Sequence, residues 1–445
     1  MKRGLIMSIG EWFRYLAFTG LDTISGQKVS DHLKELEAFF SNTSGDELDF
    51  ESRITNLLKH TCDTVPYYRT FKGFASIYEY PVIDKATIKQ RFNDFLSGKY
   101  KQSKLSKATT SGSYGTPTTY YLTPDKKARR FAEIVYFNNW AGYNVGMNHA
   151  LIRARPKSKL MLFAENELLI RPMGIDLTWL EHQWRLMGKR SVKFIIGYPS
   201  ILSMLARFYK DNARQLPPVK PKGVISFAEP LYTPDRNLIE EVFECPVLGR
   251  YSSEEFGVIA HECREEKRYH LNQASYLIEL LDLKKDVPVT PGQPGRVIVT
   301  DLFSHAMPLI RYDTGDIAVM GGECSCSMKS KVFERIEGRM MESIYDTCGR
   351  LISPLVLVTP IARTIEGIQQ FQFIQRGRKH YIIRLVVLPS FSKDKVHLIM
   401  GKLLAILGKD AHVELEYVSL IPALSSGKRP YFINELKTKS NQLLG

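Results

Sequence analysis

Apolar residues recur three and four positions apart in DHLKELEAFF (residues 31–40) and SRITNLLKHTC (52–62), the spacing that lines one face of a helix. With Pro66 and Pro81 as punctuation and Asp84 as the N-cap of PVIDKATIKQRF, the pattern predicts a helical region up to about residue 100. KKARRFAEIVYFNNWAGY predicts a further amphipathic helix. Unbroken apolar runs then replace the helical period: FIIG within SVKFIIGYPSILSMLARFYKD, and VISF within KPKGVISFAEPLYTPDRNLIEEVF, each followed by a turn and a helical stretch. Strand, turn and helix in repetition predict a parallel sheet with ligands at the carboxyl ends of its strands.

From about residue 275 the texture becomes strands and turns, SYLIELLDL, PGQPGRVIVTDL and PLIRYDTGDIAVM, which reads as a more antiparallel subdomain to residue 337. Past ERIEGRMMES a tail carries strand patterns in FQFIQRGRKHYIIRLVVL and VELEYVSLI, with a helix over DKVHLIMGKLLAILG. The expected fold class is α/β: a large N-terminal domain of mixed sheets and helices, residues 1–337, and a small mobile α+β C-terminal domain, residues 338–445, with Gly338 as hinge.

At 445 residues the chain exceeds what one hydrophobic core usually supports. Its 44% hydrophobic and 24% charged residues are those of a globular protein. The net charge of +14 is spread along the chain and not gathered into one arm, so no nucleic-acid partner is expected. The N-terminal stretch MKRGLIMSIGEWFRYLAFTGL is basic and then apolar, but Glu11 and Arg14 interrupt it. It reads as an amphipathic segment whose Trp12, Phe13, Leu16 and Phe18 either pack on the body or rest peripherally on a membrane surface. No apolar run reaches the roughly 18 residues of a membrane span, and a cytoplasmic protein is expected.

Thr109–Thr123, TTSGSYGTPTTYYLT, places hydroxyls and two glycines between the Lys-rich KQSKLSK and a strand-like run. Glycines let backbone N–H groups converge and hydroxyls add donors, which suits a polyphosphate. It is neither a Walker loop nor a G-x-G-x-x-G turn. A plain surface turn is the competing reading.

Four more segments follow in order: YSSEEFG (251–257), RYDTGD (311–316), RIEGR (335–339) and SSGK (425–428). The ordered set resembles the adenylate-forming superfamily of acyl-CoA synthetases, and the wording of SFAEP and AMPLIRYDTGD resembles its phenylacetate–CoA ligase branch, among relatives associated with capsular polysaccharide biosynthesis. The resemblance implies an ATP-dependent, AMP-forming ligase that activates a small carboxylic acid as acyl-adenylate and passes it to coenzyme A, or to an amine or hydroxyl of a sugar precursor. A non-catalytic nucleotide-binding relative is the other reading.

By that resemblance Thr110, Ser111, Gly112, Ser113 and Gly115 hold the β- and γ-phosphates, and Tyr251 belongs to the nucleotide site. Glu255 holds Mg²⁺, Asp316 accepts the ribose hydroxyls, and Arg335 adds positive charge beside them. Ala228, Glu229 and Pro230 border the adenine, and Lys428 reaches the α-phosphate. Two departures stand out. Glu254 replaces the usual Ser or Thr before the metal-binding Glu, and Met340-Met341-Glu342 replaces the usual acidic residue after RIEGR.

Six cysteines are too few for a disulfide scaffold. Cys263 and His270 have six residues between them and Cys324-Ser325-Cys326 forms C-x-C, two ligand pairs that a fold can bring together as a tetrahedral structural Zn²⁺ set, against the alternative that they are unrelated thiols like Cys62, Cys245 and Cys348. Tyr136, Phe137, Asn138, Trp140 and Tyr198 are candidates for an acid pocket, against the alternative that they are core. The acid itself is not legible, and oligomerisation is left open.

Overall fold

The computed structural model describes residues 8–24, 26–41, 47–74, 76–110, 118–352, 356–357, 367–388, 391–392, 394, 396–424 and 428–436. The chain divides into two compact units, one formed by Met1–Asn148, Lys159–Glu167 and Leu248–Ile336, the other by His149–Ser158, Leu168–Val247 and Glu337–Gly445.

The first unit begins with helices Ile9–Ile24, Lys28–Ser41 and Glu47–Thr64. The Asp84 carboxylate caps the short helix Lys85–Gln90 by accepting the Thr87 N–H at 2.8 Å. Helix Pro124–Trp140 starts by the same chemistry: the Thr123 hydroxyl accepts the Lys126 N–H at 3.1 Å and Pro124 fills the first turn. The strands of this unit lie in the order Tyr276–Leu281, Pro294–Asp301, Tyr312–Met320, Val332–Arg339, Tyr269–Leu271, Gly257–Glu262 and Val247–Ser253. The first three pair antiparallel, as the turn-rich sequence predicts. Tyr68, Phe95, Phe256, Tyr276, Val299 and Tyr312 are among the residues of its core.

In the second unit, strands His149–Ile152, Phe194–Gly197 and Val224–Phe227 pair in parallel. All four residues of Phe194–Gly197 are buried, which is why that segment is apolar without alternation. Helices Leu177–Lys189, Pro199–Asn212 and Thr233–Phe243 cover these strands with a core that includes Trp184, Leu205 and Phe243. A second sheet, ordered His412–Tyr417, His380–Val387, Ile368–Gln375 and Phe432–Asn434, packs on helix Val396–Leu407.

Within this unit the second sheet and the two helices share polar contacts around Asp235. Its carboxylate accepts the Ser203 hydroxyl at 2.7 Å and the Tyr431 hydroxyl at 3.0 Å, with Arg207 at 3.7 Å. The Arg207 guanidinium also donates to the Ile368 carbonyl. Burial pushes the Asp235 carboxyl up, against the pull of Arg207 and the two hydroxyls.

Of the two placements open to the N-terminal side chains, packing on the body holds only for Phe18, half-buried against Phe131 at 5.5 Å; Trp12, Phe13 and Leu16 are exposed. The helix turns its two carboxylates inward instead: Glu11 and Asp22 are buried.

Candidate nucleotide site and metal centre

Strands Ser106–Thr109 and Thr119–Leu122 pair antiparallel, on either side of the hydroxyl-rich segment in sequence. Across the base, the Thr110 N–H donates to the Thr118 carbonyl at 3.0 Å and the Thr118 N–H to the Thr110 hydroxyl at 3.1 Å. Lys85 Nζ donates to the same hydroxyl at 3.2 Å. Lys85 thus brings a cation to the loop base, and only its position after the Asp84 cap signals it in sequence. Ser111, Gly112, Ser113 and Gly115 lie outside the described residues.

The two motifs downstream meet on neighbouring parts of the same unit. The Tyr251 hydroxyl donates to Asp316 Oδ2 at 2.6 Å. The other charged groups of RYDTGD have structural work. Arg311 pairs with Glu279 at 2.9 Å and donates to the Tyr78 and Tyr80 carbonyls. Asp313 pairs with Arg296 at 2.7 Å and accepts the Gly315 N–H at 2.8 Å. Gly315 has φ of 73°, a conformation that disfavours a side chain and lets the strand turn Asp316 toward Tyr251. Arg335 lies on the strand Val332–Arg339 and is exposed.

Glu255 is half-buried; after burial, its charge is the next cause that pushes the Tyr120 phenol up. Glu254 faces away to solvent, and its carboxylate lies 3.8 Å from Arg130, whose guanidinium also donates to the Glu254 carbonyl at 3.2 Å. The extra negative charge at this position is therefore matched by a cation from helix Pro124–Trp140. Behind the motif, the Tyr276 hydroxyl lies 2.8 Å from the Phe256 carbonyl, 3.0 Å from Glu133 Oε2 and 3.2 Å from Lys126 Nζ. Glu133 in turn accepts the Val258 N–H at 3.2 Å. These buried groups fix the backbone directly after Glu255, and no motif announces them.

In the second unit, strand Val224–Phe227 ends at Ala228, whose φ is 68°. That turn directs Glu229 between two backbone donors: the Ser200 N–H at 3.1 Å, in the first turn of helix Pro199–Asn212, and the Arg429 N–H at 3.0 Å. Burial raises the Glu229 carboxyl above the usual range, partly offset by these donors and the charge of Lys428. Lys428 is half-buried and its carbonyl accepts the Leu424 N–H at 2.9 Å. One carboxylate thus ties Ala228–Pro230 to the segment that carries Lys428. Gly338 (φ 102°) lies beside Pro230, where an added Cβ would stand 3.4 Å from the proline ring.

Cys263, His270, Cys324 and Cys326 converge, with their donor atoms all within 4.8 Å of one another. Strand pairing sets Val332 opposite His270 and brings the 321–331 loop over the hairpin at 263–270. Arg268 donates to the Glu323 carbonyl at 2.9 Å, and Glu266 accepts the Ser325 N–H at 2.8 Å. Cys263 Sγ and Cys324 Sγ are 3.7 Å apart. A disulfide needs about 2.05 Å, whereas a tetrahedral ion about 2.3 Å from each sulfur sets its sulfurs about 3.7–3.8 Å apart. His270 Nε2 is 3.1 Å from Cys326 Sγ, and its Nδ1 is held by the Ser330 hydroxyl at 2.9 Å, the outer contact that orients a ligating imidazole. The donors fit a closed metal site. Burial raises the Cys324 and Cys326 thiols; for Cys263 burial is outweighed by hydrogen bonds from His270 and the backbone of Glu266 and Arg268, and its pKa is lowered.

The acid-pocket candidates on helix Pro124–Trp140 are core. Phe137 and Asn138 are buried, and Tyr136, Phe137 and Trp140 each lie within 5.5 Å of the Phe40 ring. Tyr198 is buried against Phe227 at 5.4 Å.

Residues 344–435 match the family model of the CapK C-terminal domain. Protein CapK of Staphylococcus aureus is 25% identical over 375 residues, 82% of this chain and 81% of that protein. The phenylacetate–coenzyme A ligase of Thermus thermophilus is 26% identical over 298 residues, 62% of this chain and 66% of the ligase. Among solved structures, 2-hydroxyisobutyryl-CoA ligase in its postadenylation state superposes with a TM-score of 0.70 at 16% identity, covering 89% of this chain and 91% of that one. In sequence the chain is similar to CapK and to phenylacetate–coenzyme A ligase, and its fold is that of 2-hydroxyisobutyryl-CoA ligase, an adenylate-forming enzyme.

Proposed function

We propose that the chain is an ATP-dependent, AMP-forming carboxylate ligase. The observation that carries the reading is the Tyr251–Asp316 hydrogen bond of 2.6 Å, which joins two motifs 65 residues apart in sequence while the other charges of RYDTGD are taken up by Arg296 and Glu279. In the first step a carboxylate oxygen of the acid bonds to the α-phosphorus of ATP and the bond to pyrophosphate breaks, leaving an acyl-adenylate. In the second, the acceptor attacks the acyl carbon and AMP leaves. The substrate supplies the nucleophile, so the protein's task is to position groups and balance charge.

In this reading Thr110 and the loop Ser111, Gly112, Ser113 and Gly115 hold the β- and γ-phosphates, with Lys85 adding charge at the loop base. Asp316, oriented by Tyr251, accepts the ribose hydroxyls, and Arg335 contributes charge nearby. Ala228–Pro230 border the adenine, where Glu229 also acts as a clamp. Glu255 is the ligand for Mg²⁺, a hard cation that favours carboxylate oxygen and would neutralise phosphate charge. Lys428, on a C-terminal domain of residues 338–445, neutralises charge at the α-phosphate. Cys263, His270, Cys324 and Cys326 hold a structural Zn²⁺. Coenzyme A is the favoured acceptor, since a phenylacetate–coenzyme A ligase and a 2-hydroxyisobutyryl-CoA ligase are among the relatives. The resemblance of SFAEP and AMPLIRYDTGD to relatives associated with capsular polysaccharide biosynthesis gives a second reading, an amine or hydroxyl of a sugar precursor.

ATP–pyrophosphate exchange across a panel of aryl, alkyl and hydroxy acids tests the adenylation step. Exchange that depends on the acid and falls at least about a hundredfold in Lys428→Ala is expected, a loss of about 2.7 kcal/mol. No exchange with any acid despite ATP binding would replace this reading with a non-catalytic nucleotide-binding protein. AMP release that needs coenzyme A, or proceeds only with a sugar amine or alcohol, separates the two acceptors.

A further inference from the structure

We propose that the outward face of helix Ile9–Ile24 docks on an anionic membrane surface. An ordinary surface helix buries its apolar stripe and exposes its charges. This one does the reverse. Its only two carboxylates, Glu11 and Asp22, are 2% and 5% exposed and are used within the protein. Glu11 forms a capping box with Ser8, taking the Ser8 N–H at 2.8 Å, and also takes the Asn148 N–H at 3.2 Å. Asp22 accepts the Val29 and Ser30 N–H groups and the Ser30 hydroxyl at 3.0, 2.9 and 2.6 Å.

At about 100° per residue, Ile9, Trp12, Phe13, Leu16, Gly20 and Ile24 form one stripe. Its side chains are exposed: Ile9 by 78%, Phe13 by 61% and Ile24 by 86%. A second element of the same unit, joined to the helix through Arg14, adds exposed apolar side chains. Arg14 donates to the Phe163 carbonyl at 3.1 Å and lies 5.1 Å over the Phe163 ring, and in helix Lys159–Ala164 both Leu160 and Phe163 are exposed, by 77% and 72%. Apolar side chains scattered singly over a surface need no partner; an apolar stripe exposed along a whole helix does.

Charge decides which partner. The exposed stripe carries no carboxylate, helix Lys159–Ala164 carries none, and the sequence puts Lys2 and Arg3 before the first helix and Lys159 at the start of the second. With a net charge of +14, two copies of the chain would bring like charge together, whereas anionic lipid attracts it. Trp12 and Tyr15 have the amphipathic rings that settle at headgroup level. No described helix is long and apolar enough to cross a membrane, so the helix lies in the interface plane.

The test is flotation of the full chain with vesicles of phosphatidylcholine, alone or mixed with phosphatidylglycerol, at low and high salt, for the protein and for Phe13→Ser/Leu16→Ser. Both positions are solvent-facing, so an unchanged thermal midpoint verifies folding. The expected result is binding to the anionic vesicles that weakens about tenfold or more in the double variant and falls with salt. Absence of vesicle binding, equal binding by the variant, or equal binding to pure phosphatidylcholine overturns the proposal. So does a dimer of the unmodified chain that the double variant converts to monomer without any vesicle binding, since a second copy then covers the face.

Discussion

At the scale of single residues, the side chains that matter most here are carboxylates whose partners decide their role. Asp313 and Asp316 stand three positions apart in one motif, yet one is held by an arginine and the other by a phenol. Glu229 is a different case, since burial lifts its carboxyl above the usual range while two backbone N–H groups hold it. A carboxyl raised in the folded state contributes stability that is fully present below its unfolded pKa and is lost as pH rises through the folded value. Glu229→Gln removes this titration but accepts only one of the two N–H groups, at a cost of about 1–3 kcal/mol. The variant is therefore expected to be less stable at acidic pH, and its deficit to shrink as pH climbs from about 4 upward through the raised pKa of the native side chain. Urea midpoints of both proteins across that range check it; a deficit that grows with pH would show that Glu229 is stabilised as a carboxylate.

At the scale of elements, much of the organisation was legible from periodicity. FIIG and VISF are strands, the spacing of DHLKELEAFF is a helix, and Asp84 is the cap it reads as. The convergence of Cys263, His270, Cys324 and Cys326 was legible too, because short-range pairs of ligands survive as pairs in any fold. What the sequence hid was tertiary. Nothing local says that Tyr276 lies behind Phe256, that Arg130 faces Glu254, or that Ser330 holds His270, since each pair is separated by 20 to 124 residues. The N-terminal helix left two placements open for a related reason: its pattern shows two faces without saying which is turned inward. The metal centre gives the prediction at this scale. The 321–331 loop is tied to its hairpin by a few polar contacts at Arg268, Glu266 and Lys331, so a bound ion would supply much of its order. Stoichiometric zinc is expected in the purified protein, and its removal by chelator, or Cys326→Ser, should lower the thermal midpoint by several degrees. Protein that carries no zinc and is unchanged by chelator would leave four hydrogen-bonded side chains and no metal.

At the scale of the whole molecule, the proposed reaction asks one C-terminal segment to serve two steps with different geometric needs. Lys428 must stand at the α-phosphate for adenylation, and the acceptor must later reach the acyl carbon. The contacts that would have to change are visible within the second unit: Tyr431 on Asp235, Arg207 on the Ile368 carbonyl, and the Arg429 N–H on Glu229. Tyr431 is half-buried and donates to a carboxylate that burial already destabilises in its charged form, so the pair stays together only while both are in place. Tyr431→Phe removes the one hydrogen bond without opening a cavity, a change worth about 1.5–3 kcal/mol because the acceptor is charged. If this contact favours the adenylation arrangement, the variant should lose pyrophosphate exchange by about tenfold or more while transfer from preformed acyl-adenylate to the acceptor is retained or faster. Equal losses in both half-reactions would mean that Tyr431 supports the fold of the unit and has no part in choosing between its arrangements.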